Sequence, residues 1–138
     1  KSLDNKLDAL KNRFFLGKKL PPHPKLGEGF LQRGKLKKLK IYKMGFTYKG
    51  LLKDETHYWS EVTLVEFHWV HEGINFATNE RLSLKFYFKN GKKLKFKFSA
   101  PDLIFIPGDL TGGNKRTLDI LQILSNKYNF KMEETWLS

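Results

Sequence analysis

Few residues of this chain have side chains suited to chemistry, and most stand at spacings that deny them partners. His68 and His71 are three apart in a β-branched, aromatic run. Successive side chains of a strand alternate faces, so that spacing sends the two imidazoles to opposite sides of a sheet. Glu66 and His68 share a face, but two ligands do not make a metal site. His23 and His57 fall in loop-like sequence with no second ligand in register. None of the serines, at 2, 60, 83, 99, 125 and 138, sits in a recognisable nucleophile elbow, and hydrolytic chemistry needs a nucleophile, a base and an orienting group within reach. The carboxylates of 54–80 read as a solvated acidic rim. Between 103 and 117 an apolar run, a glycine-rich loop and a helical pattern imitate a phosphate-binding loop, with Gly108 and Gly113 at the motif's separation. The next residue is Asn114 where the motif has the lysine that reaches the phosphates, so nucleotide hydrolysis is rejected. No catalytic residue, metal or cofactor is expected. A helix N-terminus beside Lys115 and Arg116 remains a candidate for holding an anion.

Positive charge is the larger chemical signal. The 138 residues carry 26 Lys and Arg against 14 Asp and Glu, a formal +12. The excess lies in two blocks, +11 over residues 1–50 and +6 over 82–98, separated by −4 over 51–81 and followed by −1 over 99–138. Basic blocks attract phosphates, anionic lipid or acidic proteins. Only 4 of the 26 cations are arginine. Arginine suits bidentate recognition and lysine diffuse charge, which points to a diffuse anionic surface rather than to sequence-specific readout of nucleic acid. The candidates are Lys85, Lys93, Lys95 and Lys97 in the second block and the run Lys35, Lys37, Lys38 and Lys40 in the first.

These residues need elements to hold them. Leu82, Leu84, Phe86 and Phe88 alternate with Ser83, Lys85 and Tyr87, and Leu94, Phe96 and Phe98 alternate with Lys93, Lys95 and Lys97. The period of two predicts a pair of strands with lysines on the outer face. Asn90-Gly91 marks their turn. A two-residue loop would place Phe86 opposite Lys95, mixing apolar and charged residues on one face. A three-residue loop, 89–91, with glycine in the left-handed position pairs Phe86 with Leu94 and Leu84 with Phe96, and parity selects it. That register sets Lys85 directly across from Lys95, a destabilising like-charge pair that an anionic partner would relieve. Lysines on an exposed strand also guard against edge-to-edge aggregation.

Further strands are predicted at 30–31, 36–42, 46–52 and 62–71, the last with Val65, Phe67 and Trp69 on one face. Leu103 to Ile106 is a short apolar run, and Lys131 to Leu137 is read as a last strand or a docked tail. Leu118, Leu121, Leu124 and Tyr128, widened by Ile120 and Ile123, predict a well-buried helix over 115–129 capped by Asn114. Near the N-terminus, Leu3, Leu7, Leu10 and Phe14 predict an amphipathic helix over 3–16 that packs on its own domain or a partner, and Leu20-Pro21-Pro22-His23-Pro24 an extended connector. The organisation is thus a helix in 1–16, a Pro-rich connector in 17–27 and one β domain with a C-terminal helix in 28–138. No cysteine is present and no apolar run approaches 18 residues. The chain opens on Lys1 rather than methionine, as a fragment of a longer protein would.

Six or so antiparallel strands followed by one amphipathic helix resembles the layout of pleckstrin-homology-like domains. Ile41-Tyr42-Lys43-Met44-Gly45-Phe46-Thr47-Tyr48 resembles the strand–Gly–strand opening of bacterial members, and Tyr58-Trp59-Ser60-Glu61-Val62-Thr63-Leu64-Val65 their tryptophan–acid–hydrophobic step. Gly29-Phe30-Leu31-Gln32-Arg33-Gly34, followed by Lys38-Leu39-Lys40-Ile41-Tyr42, is similar to the first hairpin of eukaryotic members. The resemblance spans about residues 28–130. It implies a mainly β fold, a partly open antiparallel barrel or sandwich capped by the helix, and it implicates Arg33, Lys38 and Lys40 in cradling inositol phosphates. It departs from the family in lacking the aromatic residue before the Lys-x-basic step and the helix tryptophan.

The expectation is a non-catalytic module, cytoplasmic and membrane-associated through docking, that binds an anionic membrane surface or an acidic protein. Two other readings stand beside it. One is a nucleic-acid binder using Tyr42, Tyr48 and Tyr87 as stacking platforms on a charged sheet. The other is a structural or assembly domain whose charge is incidental. Ligand identity and oligomeric state are not written in the residues.

Overall fold

The computed structural model describes residues 20–34, 38–74, 77–99 and 113–135. The helix expected over 3–16, Lys35 and Lys37, the 103–106 run and residues 136–137 of the tail lie outside them. Two four-stranded sheets form from these residues. The first holds β1 (Gly29–Arg33), β2 (Leu39–Tyr42), β3 (Gly45–Lys49) and β4 (Asp54–Tyr58) as an antiparallel meander in that order. A short 3-10 turn, Trp59–Glu61, leads into the second, which holds β5 (Val62–Ile74), β6 (Ala77–Phe88), β7 (Lys93–Ser99) and β8 (Lys131–Glu134) in the order β7-β6-β5-β8. Helix α1 (Asn114–Tyr128) precedes β8, which pairs with β5 in parallel. The molecule is therefore mainly β with one C-terminal helix, and its two sheets do not close into a single barrel.

One apolar cluster joins both sheets to the helix. Leu39, Ile41 and Phe46 come from the first sheet, Val65, Leu82, Leu84, Phe86, Phe96 and Phe98 from the second, and Ile120, Leu121 and Leu124 from α1. The helix buries the face its leucine spacing predicts. Trp59 ties the corner between the sheets. It is fully buried, its indole Nε1 donates to the Tyr42 carbonyl at 2.9 Å, and its rings pack on Phe46, Phe86 and Phe130 at 5.1, 6.2 and 5.9 Å. Gly45 is required by a close approach, since a Cβ there would lie 2.1 Å from the His57 carbonyl oxygen on β4.

The β6–β7 hairpin takes the register that parity selects. Phe86 pairs with Leu94, Leu84 with Phe96 and Lys85 with Lys95. Phe88 N–H donates to the Lys92 carbonyl at 3.0 Å, Gly91 adopts φ +86°, and the Asn90 side chain accepts from Lys92 N–H at 2.9 Å. A left-handed residue closing a three-residue loop favours glycine, which explains Gly91.

Several boundaries differ from the sequence reading. Strand β3 ends at Lys49 rather than at Leu52, because the chain turns at Gly50 and sends Leu51 and Leu52 into solvent. Residues 54–58 form an edge strand, β4, that the sequence reading omits, since their polar side chains carry no apolar alternation. The cap of α1 is Gly113, in the left-handed region at φ +88°, rather than Asn114, which is the first helical residue and fully buried. Within the connector, His23 and Gly27 exchange backbone hydrogen bonds of 2.8 and 2.9 Å, so its described part folds into a tight turn rather than an extended rod.

Candidate functional site

In the second sheet, Leu82, Leu84, Phe86, Phe96 and Phe98 point into the core, so their neighbours in sequence must point out. Arg81, Ser83, Lys85 and Tyr87 of β6 therefore share an outer face with Lys93, Lys95 and Lys97 of β7 and with Glu66, His68 and Val70 of β5. Cross-strand pairing sets the rows: exposed Glu133, Glu66, Lys85 and Lys95 in one, His68, Ser83 and Lys97 in the next. These rows, with Arg81 and Thr135, line a shallow depression of about 390 Å³. Among the described residues, four cations, Arg81, Lys85, Lys95 and Lys97, line it together with the carboxylate of Glu66. Lys93, Lys95, Lys97 and Arg81 are exposed, and Lys85 and Ser83 half-buried.

Fixed hydrogen bonds shape the rim. The Tyr87 hydroxyl donates to Glu66, and the Lys85 and Lys93 ammonium groups lie 5.2 and 5.4 Å from the Tyr87 ring centroid. Tyr87 thus holds both lysines through its ring face and turns the Glu66 carboxylate towards itself. At the other end, Thr135 N–H donates to the Phe67 carbonyl at 2.8 Å, and the Thr135 carbonyl lies 2.6 Å from His68 Nδ1. A carbonyl only accepts, so Nδ1 carries the proton in this contact.

The other sequence candidates are dispersed. Lys40 is half-buried on the outer face of the first sheet, opposite Gln32 and Thr47, and Lys38 is exposed just before β2. The two sheets share one core, so Lys40 on the outer face of the first sheet does not join the lysines of β6 and β7. Arg33, implicated by the family resemblance, is fully buried. Its Nη1 donates to Thr117 Oγ1 at 2.9 Å and its guanidinium lies 4.7 Å from the Phe98 ring centroid. It joins β1 to α1 in the interior and cannot meet a surface ligand. At the helix N-terminus Lys115 is exposed and Arg116 half-buried, but the first turn's inner side, at Asn114 and Thr117, faces the interior beside Arg33.

Sequence reasoning passed over Arg81, although it has the same parity as Ser83, Lys85 and Tyr87 in one strand. It placed Glu66 and His68 together but gave them no relation to the lysines, because a contact across two strands needs the β5–β6 register. Among the described residues no group of three His, Asp or Glu side chains converges as a metal site would require, and no helix is long and apolar enough to cross a membrane.

Comparison with protein-family models, with curated proteins and with solved structures finds no match.

Proposed function

We propose that this chain is a non-catalytic docking module of pleckstrin-homology-like architecture that binds an anionic membrane surface through the outer face of β6 and β7. The observation that carries the reading is the row structure: Lys85, Lys95 and Lys97, with Arg81, border one depression in which the lining carboxylate among the described residues, Glu66, is engaged by Tyr87. The meander, the second antiparallel sheet and the C-terminal helix support the architecture, and the parallel strand β8 is an addition to it.

Lysine near an anionic bilayer contributes about 1 kcal/mol. Four such cations give about 4 kcal/mol, which is a millimolar, salt-sensitive contact. The face therefore steers and orients the domain, and firm attachment needs another anchor or neighbouring copies. Sedimentation with phosphatidylcholine vesicles containing increasing phosphatidylserine tests the reading. Binding is expected to rise with the anionic fraction and to fall on charge reversal at Lys93, Lys95 and Lys97. Vesicle binding indifferent to those reversals, or preferential binding to an acidic protein or to nucleic acid at the same salt, would remove the membrane reading.

A further inference from the structure

Two large apolar side chains stand fully in solvent at the turn joining β3 to β4: Leu51 and Leu52, with relative exposures of 105% and 99%. Scattered surface leucines are ordinary, but an adjacent pair at a hairpin tip is a small apolar patch on a projecting point. Turn positions ordinarily go to Gly, Asn, Asp or Pro, whose conformations suit them, so backbone geometry does not account for two leucines. The turn is closed: Gly50 N–H donates to the Lys53 carbonyl at 3.1 Å, above the Lys49–Asp54 pair. A Cβ on Gly50 would lie 2.6 Å from that carbonyl oxygen, so glycine lets the loop tighten.

Cations surround the tip. Lys49 and Lys53 flank it and are exposed, and Lys49 N–H donates to the Lys38 carbonyl at 3.1 Å, which brings exposed Lys38 alongside. Two carboxylates stand at its base. Asp54 lies across from Lys49, while Glu55 accepts from the Tyr48 hydroxyl and feels the charge of Lys92. From its inner side the hairpin is anchored in the core, where Tyr48 packs edge-on against Phe96 of β7 at 5.6 Å. An apolar point flanked in the chain by exposed lysines matches a bilayer with anionic head groups, into which leucine enters while lysine stems reach back to the phosphates.

We infer that Leu51 and Leu52 form a wedge that enters the interface of an anionic bilayer, with Lys38, Lys49 and Lys53 on the head groups. This inference rests on the membrane-docking reading and supplies the second anchor that the lysine face lacks.

The chain has no cysteine, so Leu52→Cys gives a unique attachment point for an environment-sensitive nitrobenzoxadiazole probe, and Ser60→Cys, at another exposed position, a reference. With phosphatidylcholine–phosphatidylserine vesicles, the probe at 52 is expected to brighten, shift to the blue and be quenched by brominated lipid, while that at 60 stays aqueous. The double variant Leu51→Ser, Leu52→Ser is expected to melt like the parent and to partition about tenfold more weakly, equivalent to about 1.4 kcal/mol and less than one leucine's full burial. Vesicle sedimentation with an aqueous probe at 52 would refute the wedge and leave lysine docking standing. No sedimentation at all would refute both. A probe response without vesicles that grows with protein concentration would show the tip covered by a second copy, and would also refute the wedge.

Discussion

Replacing Lys95 by glutamate separates the two roles of the lysine ribbon, because stability and docking should move in opposite directions. Lys95 lies directly across from Lys85, and Lys85 is flanked on its other side by Glu66. Two unit charges about 5 Å apart interact by about 0.8 kcal/mol in water, and salt reduces this further. Turning a repulsive pair into an attractive one, with Glu66 already offsetting part of the repulsion, is worth about 0.5–1 kcal/mol. For a chain of this size that is a rise in melting temperature of about 2–4 °C. The same substitution removes two units of positive charge from the rim of the depression, which should weaken attachment to anionic vesicles by about 2 kcal/mol, or about thirtyfold. Differential scanning fluorimetry and vesicle sedimentation on the same protein read both quantities. A fall in melting temperature would refute the cross-strand argument. A rise with unchanged vesicle binding would show that the ribbon only guards an edge.

Other expectations concern the interior. Arg33→Ala should destabilise by about 2–4 kcal/mol in chemical denaturation, because it removes a buried charged hydrogen bond and its packing on Phe98, yet leave the vesicle affinity of the folded protein unchanged. Gly45→Ala should cost about 1–3 kcal/mol, since its Cβ would strike backbone of β4 rather than a yielding side chain. Tyr48→Phe should cost about 1 kcal/mol at neutral pH, with a gap from the parent that closes at both ends of the pH range. The Tyr48 hydrogen bond holds the Glu55 carboxyl below its ordinary range, so that contribution is present above the unfolded carboxylate pKa of about 4.3 and lost as pH falls through the lower folded value. Burial, then Glu55, pushes the Tyr48 hydroxyl up, so stability from its retained proton is present below about pH 10 and lost as pH rises beyond it. A gap that stays constant from pH 3 to 11 would contradict this.

What the sequence made legible depended on whether the signal was local. The register of the β6–β7 hairpin could be read to the residue, because alternation and turn chemistry there agree and a one-residue slip would bury lysine, although β6 begins at Ala77 rather than at Leu82. The buried face of α1 was equally plain from its leucine spacing. Strand β4 was not, because Asp54, Glu55 and Thr56 form an exposed edge with no apolar period. Leu51 and Leu52 misled for the opposite reason: their type belongs to a core, and only the turn at Gly50 puts them outside. Arg33 looked like a surface cation, although its parity with Leu31 on β1 already turned it inward. The depression on the second sheet draws residues from three strands and from Thr135 after β8. Its assembly depends on long-range pairing, including a parallel partner for β5 that no local pattern announces.

The central claim is that the outer face of β6 and β7 is an electrostatic docking surface for an anionic bilayer. Its most direct test is the salt dependence of partitioning onto phosphatidylserine-containing vesicles for the parent and for the Lys93→Glu, Lys95→Glu, Lys97→Glu variant. The account predicts parent binding that falls steeply with added salt, and a folded variant whose binding is much weaker at low salt and nearly flat with salt. Superimposable curves for the two proteins, or binding equally strong to neutral vesicles, would contradict it.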